Sequence, residues 1–382
     1  MSDESAGACC RQHLIGGIAQ DRCFMARTVH LRTGGPPMLR WIAAATFSLL
    51  ATQAAAATLY VNPGGTGGCF SSVQAAVDAA GNRDVIDIAA GTCVGSVSVL
   101  GFTRLTLQGA GAGSTILQGP LGILHVSSGD VVVQGVTLSD SERAILVSTG
   151  KLTLRDSTIT GNTGAAVECA KGTRVTIEDC LIAGNGESLF YDAAVGGRGA
   201  VTIVRSEIRD NQSHGVTAEG KVTIVDSVIR GNGNTGVRVN VATITGSTIS
   251  GNGVSFPSGG VSIGLDASRG GSAKISNTTI SGNAGVGLVV FDRYGAVLDH
   301  VTIAGNTQPL PGATTGGLQT LSKRVVLRRT VMADNLPTDC ATPSEFSAGH
   351  IRLAGVNLIE TPGDCVTAGQ APLTVDPVLG PL

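Results

Sequence analysis

Four polar residues have the chemistry to act on a ligand: the carboxylates Glu168 and Glu219, the guanidinium of Arg238 and the amide of Asn240. Paired carboxylates can serve as acid and base at a glycosidic bond. A guanidinium fork grips a carboxylate, and an amide can bond hydroxyls. Tyr191, Phe291 and Tyr294, with Asp292, occupy irregular Gly-containing stretches around them, and flat rings beside mixed charge suit a sugar. These residues are far apart in sequence. They can work together only if the chain stacks them.

A repeat supplies the stacking. Arg155-Asp156-Ser157-Thr158-Ile159-Thr160-Gly161-Asn162 returns as Val225-Asp226-Ser227-Val228-Ile229-Arg230-Gly231-Asn232 and as Ser276-Asn277-Thr278-Thr279-Ile280-Ser281-Gly282-Asn283. The terminal Asn recurs at Asn162, Asn185, Asn211, Asn232, Asn252, Asn283, Asn306 and Asn335, in steps of 23, 26, 21, 20, 31, 23 and 29 residues. That is a solenoid period. Apolar residues alternate within each copy, as at Val222 and Ile224 and at Val237 and Val239, so the units are short strands. Leu is too sparse for leucine-rich repeats, and Gly-Gly-x-Gly-x-Asp nonapeptides are lacking. The expected fold is all-β, a right-handed parallel β-helix of about eleven coils with three strands per turn.

The "Thr-Ile-x-Gly-Asn…Gly-Val" repeat, the opening residues Ala57-Thr58-Leu59-Tyr60-Val61-Asn62 and the ending Asn357-Leu358-Ile359…Asp376-Pro377-Val378-Leu379-Gly380-Pro381-Leu382 resemble bacterial right-handed parallel β-helix proteins related in fold to pectate lyases. The likeness implies the fold over residues 58–382; that fold hosts lyases, hydrolases, epimerases and adhesins. Leu298-Asp299-His300 is similar to part of a pectate-lyase strand motif, and Ser213-His214-Gly215 to the Gly-His-Gly of polygalacturonases. Asp299-His300 aligns with Asp226-Ser227 and Asn277-Thr278, a turn inside the repeat, and His214 lacks the paired Asp such hydrolases use. Glu168 and Glu219 fall two coils apart, about 10 Å, near the upper limit for an inverting pair. No Asp cluster offers calcium a site, so neither metal nor other cofactor is expected.

Stacking turns the Asn series into a column of side-chain amides, bonded along the axis. In the Gly-Val-x-Val strand that follows each Asn, residues opposite to Val167, Val216 and Val237 point outward. Glu168, Glu219, Arg238 and Asn240 therefore share a face, with Tyr191, Phe291, Asp292 and Tyr294 on its rims.

Residues 1–37 have no periodicity and are read as a non-structural leader or misassigned start. Residues 38–57 read as a secretory signal: basic Arg40, an apolar run too short to span a membrane, then Ala54-Ala55-Ala56. Residues 58–104 form an N-terminal cap and first coil, with an amphipathic helix at 71–80 starting on Ser and lying across the open end. The repeats occupy 105–336, and 337–382 form a last coil and tail. Residues 1–57 hold five of the 26 Lys and Arg and three of the 28 Asp and Glu, leaving 21 against 25 and a formal charge of −4, which disfavours nucleic acid. Six cysteines remain, in three local pairs: Cys69 with Cys93, Cys169 with Cys180, and Cys340 with Cys365. The expected protein is secreted, extracellular or periplasmic, without stable membrane insertion after signal cleavage. It presents a polysaccharide- or envelope-binding face; the alternative is a lyase or glycoside hydrolase acting on an acidic polysaccharide.

Overall fold

The computed structural model describes residues 56–186, 193–255, 259–263, 271–342 and 350–380; Tyr191 and the leader and signal readings of residues 1–55 lie outside them. From Ala56 onward the chain winds as a parallel β-helix of about 12 turns, close to the expected count. A turn supplies up to three strands, each paired in parallel with its counterparts one turn away. The first ladder starts with Thr58–Val61 on Val85–Ile88 and ends at Thr367–Gly369. The second runs from Gly91–Val94 to Leu358–Ile359, and the third from Val97–Val99 to Cys340–Ala341.

Register places one inward apolar residue above another. In the first ladder Val133, Leu154, Ile177, Ile203 and Ile224 are partners in succession; in the second, Leu138, Ile159, Ile182, Ile208 and Ile229 are. All are buried, and each contributes about 1.5–3 kcal/mol by leaving water. The narrow core explains why small and β-branched residues replace rings.

The middle strand is only three residues long because both its ends are left-handed. Asp156, Asp179, Arg205, Asp226, Asn277, His300 and Arg329 precede it with φ of 45° to 55°. Gly161, Gly184, Asp210, Gly231, Gly251, Gly282, Gly305 and Asp334 follow it with φ of 53° to 66°. Gly, Asn and Asp enter this region at low cost. His300 thus occupies the position of Asp226 and Asn277, whereas Asp299 pairs with Ser276 in register, so the sequence alignment of this dipeptide was one residue out.

A buried polar column follows each left-handed residue. Along one, every Asn Nδ2 donates to the Oδ1 of the next Asn at 2.8 to 3.1 Å, from Asn162 to Asn335. The same Oδ1 accepts the backbone N–H of the Asn before it. Nδ2 also donates to a backbone carbonyl one turn back, as from Asn232 to Ile208 at 3.2 Å. The column starts where Ser141 N donates to Asn162 and ends where Asn335 donates to buried Asp339. Along the other, a hydroxyl accepts a backbone N–H from the preceding turn: Val136 N to Ser157, Ser206 N to Ser227, Ser227 N to Ser247. Sequence reasoning did not find this second column.

The helix is Val73–Ala79, with Ser72 as N-cap accepting from Ala75 N and with Val73, Ala76 and Val77 buried. It covers the first coil. Gln74 also satisfies the open edge, its Oε1 accepting from Ser98 N at 2.6 Å and its Nε2 donating to Ser98 O at 3.3 Å. Among the described residues no helix is long and apolar enough to cross a membrane.

Of the three expected disulfides the structure contains Cys340–Cys365. Cys169 and Cys180 are separate thiols, because the strand Arg174–Glu178 lies between them and its five residues hold the two corners roughly 16 Å apart. Cys180 takes a place in the hydroxyl column, its Sγ facing Glu178 O at 3.0 Å while its N donates to Ser206, and burial raises its pKa to about 12. Cys93 does not join Cys69; it points inward from Gly91–Val94 into the core, where burial raises its pKa.

Candidate functional site

The outward side chains of the third ladder form a single file. Ser98, His125, Leu146, Glu168, Gly196, Thr217 and Arg238 are partners in neighbouring turns. Glu168 is half-exposed and forms an ion pair with Arg143, whose Nε lies 2.8 Å from Glu168 Oε2. Next comes Gly196, buried, with Ala193 Cβ 3.3 Å from where its own Cβ would be, and then Thr217, whose hydroxyl is shielded from solvent and makes no hydrogen bond. Arg238 rises beyond it, partly exposed. Three strand spacings, about 14 Å, separate the carboxylate end from the guanidinium end. The file is thus low between two charged side chains, a shallow trough whose middle is covered backbone and a shielded hydroxyl.

Not every expected residue reaches this trough. Glu219 lies in the bend after the third-ladder strand, where the pairing slips between Ala218 and Lys221, and it meets Arg198 Nε at 3.3 Å. Glu168 and Glu219 therefore point to different arginines instead of one substrate. Asn240 is buried, and so is Tyr294, whose Oη donates to Asn240 Oδ1 at 3.0 Å. Both expectations are corrected for one reason: a corner breaks the in-out alternation, so Asn240 turns under the sheet and Tyr294 begins the strand Tyr294–Ala304 instead of ending a loop. Phe291 and Asp292 are exposed on the preceding turn. His214 is buried at the start of His214–Val225, not displayed as a solvent-facing acid or base.

A second charged surface follows the middle ladder: an open groove of about 780 Å³ lined by Asp156, Asp179, Arg205, Glu207, Asp226 and Arg230. Its charges answer one another. Arg205 donates to both oxygens of Asp179 at 2.8 and 2.7 Å, and Arg230 Nε to Glu207 at 2.7 Å. Asp299 is likewise gripped by Arg329 and faces His300 Nδ1 at 3.0 Å. Among the described residues no group of His, Cys, Asp or Glu could hold a metal ion.

The model of the right handed beta helix region matches residues 105–239 and 192–320, more than half of the chain. The chain belongs to this right-handed β-helix family. No curated protein matches the sequence. Among solved structures it is similar to a complex of XylC with xylose, at 10% identity and a TM-score of 0.54, over 85% of this chain and 87% of that one. It is also similar to the A-module of the Azotobacter vinelandii mannuronan C-5 epimerase AlgE6, at 17% identity and a TM-score of 0.49, over 78% and 95% of the two chains. At such identities the likeness is one of fold alone.

In this β-helix one arginine of the middle groove, Arg205, belongs to the turn geometry. Arg205 sits at a left-handed position that favours Asp, Asn or Gly, and its reach to Asp179 one turn back offsets part of that cost. The hydrogen bonds from Arg205 hold the Asp179 carboxyl below the ordinary carboxylate range, against a smaller opposing effect of desolvation. Its folded pKa being depressed, the pair stabilises the protein above the unfolded pKa, and that contribution is lost as pH falls through the folded one. In Arg205→Ala the Asp179 titration, followed by carboxyl carbon NMR, is expected to move up toward the ordinary range. An unmoved titration would sink this account.

Proposed function

We propose that this β-helix protein is exported and uses the trough of its third ladder to bind a polysaccharide or an envelope glycan, acidic glycans above all. The carrying observation is the file from Glu168 to Arg238: a carboxylate and a guanidinium about 14 Å apart on rigidly stacked turns, with the low step of Gly196 and Thr217 between them. Strands held by turns on either side keep that spacing without induced fit. An extended glycan offers carboxylates and hydroxyls at repeating intervals, which suits charged groups set along such a line. The xylose complex of a protein with the same fold supports the carbohydrate reading. Export is supported by the basic and apolar pattern of residues 38–57 and by the Cys340–Cys365 bond. Display of a glycan is favoured over cleavage because Glu168 and Glu219 do not face one ligand.

Arg238→Ala tests the reading. Calorimetry over a panel of acidic and neutral polysaccharides is expected to show about tenfold weaker binding of the acidic partner, the loss of roughly 1.4 kcal/mol. The melting temperature should stay nearly unmoved. Equal binding by variant and parent would place the glycan elsewhere.

A further inference from the structure

We infer that the third-ladder face ends in a half-open hollow that takes the terminal uronate residue of a bound glycan; this rests on the glycan-binding reading above. The hollow, of about 300 Å³, lies toward the N-terminal side of Glu168 and is lined by Ser98, Leu121, His125, Arg143 and Leu146. Ser98, His125 and Leu146 form its floor as register partners, and Leu146 is the immediate partner of Glu168, so the floor continues that of the trough.

Three features select the occupant. The first is amphipathic lining. Leu121 is 74% exposed beside the floor residue Leu146, a pairing that suits the C–H face of a pyranose ring. Opposed to it are the imidazole of His125, with Nε2 2.8 Å from Ser148 Oγ and Nδ1 3.4 Å from Ser127 Oγ, and the guanidinium of Arg143. The second is charge. Arg143 lies in the lining, ion-paired with Glu168 (Nε to Oε2 2.8 Å) and 42% exposed, and a guanidinium carries five N–H donors with which to meet a second carboxylate. The third is position. Val97–Val99 is the first strand of its ladder, and beyond it Gln74 of the helix already occupies both backbone groups of Ser98. The ladder on which a glycan would lie ends at this strand. The volume is at the small end of ligand sites, room for one ring and not for an oligomer.

The test follows the leucine methyl resonances of the intact protein by NMR while galacturonate, and separately galactose, is added to roughly 10 mM, the range where a one-ring ligand of millimolar affinity saturates appreciably. The expected result is a saturating shift of the Leu121 and Leu146 methyls with galacturonate, at least about tenfold weaker with galactose. It should disappear in Leu146→Glu at unchanged melting temperature and persist in Arg238→Ala. No shift with galacturonate overturns the hollow as a site, and equal shifts with both sugars overturn the choice of a uronate. Polysaccharide binding separates this inference from its foundation: if Arg238→Ala abolishes polymer binding while the methyls stay silent, the trough reading stands and the hollow falls. If the methyls respond but no polymer binds, the trough reading falls and the hollow remains as a site for free uronate.

Discussion

Asp339→Ala is expected to lower the stability of the folded chain by about 4 kcal/mol, the scale of stranding several buried donors that had been paired with a charged group. Asp339 is fully buried where the amide column ends. One carboxylate oxygen accepts both Asn335 N at 3.2 Å and Asn335 Nδ2 at 2.8 Å, and the other accepts Thr361 N at 2.7 Å. Truncation to a methyl leaves these donors facing a space with no acceptor. Asp339→Asn keeps one oxygen but turns an NH₂ toward one of the donors, so it should cost roughly half as much. Since a solenoid coil contacts only its neighbours, the damage should appear first as local opening. Hydrogen exchange should accelerate in the last turns, around Ile351–Ala354 and Thr367–Gly369, before the middle of the stack responds. Urea unfolding measures the loss, and a midpoint unchanged in Asp339→Ala would refute the capping role.

The second large effect is expected at Asn232→Leu, in the middle of the column. Its Oδ1 accepts from Asn211 N and Nδ2 at 3.2 and 2.9 Å, and its Nδ2 donates to Asn252 Oδ1 at 2.9 Å and to Ile208 O at 3.2 Å. Leucine removes all four bonds at once from a site with no access to water, so the loss should be about 3 kcal/mol. Gly215 closes the remaining space: a Cβ there would lie 3.0 Å from Asn232 Nδ2, so the branched end of leucine also meets backbone. Denaturant unfolding should show the loss with an unchanged slope, and the Asn211 amide should lose its exchange protection. Full retention of stability would mean that the amides merely fill space.

The fold was legible because one requirement repeats. A left-handed position followed by a buried amide admits few residues, so Gly-Asn returns each turn and betrays the period. The hydroxyl column obeys the same geometry but is served by Ser157, Cys180, Ser206, Ser227, Ser247 and Thr278, side chains too interchangeable to mark a series. The small hydroxyl two residues before the strand's inward Ile, as at Ser157, Ser227, Ser247 and Thr278, was its available signal. At the candidate site Arg238 and Glu168 were readable because they lie inside strands, where alternation decides which way a side chain points. Asn240, Glu219 and Tyr294 lie at corners, where a slipped register or an early strand start reverses the inference. The reading of Cys169 with Cys180 failed for a related reason. Closeness in sequence is not closeness in a coil, where one strand sends neighbours to opposite corners. Cys340 and Cys365 instead sit about one full turn apart, and winding brings them within 5.7 Å between α-carbons.

The amide column also has a sense. Every amide from Asn162 to Asn335 offers its N–H toward the C-terminal end and its carbonyl toward the N-terminal end. Their dipoles add as peptide dipoles do in a helix, with the positive pole at the last turn. The buried carboxylate of Asp339 faces that pole, while only a backbone N–H meets the other at Ser141. The two ends of the rod are thus electrically fixed and unlike, whereas any turn between them can be duplicated or deleted without reversing a single bond. Length is therefore free to vary by whole turns in descendants of this gene, and with it the reach of the third-ladder face, while the terminal residues are not.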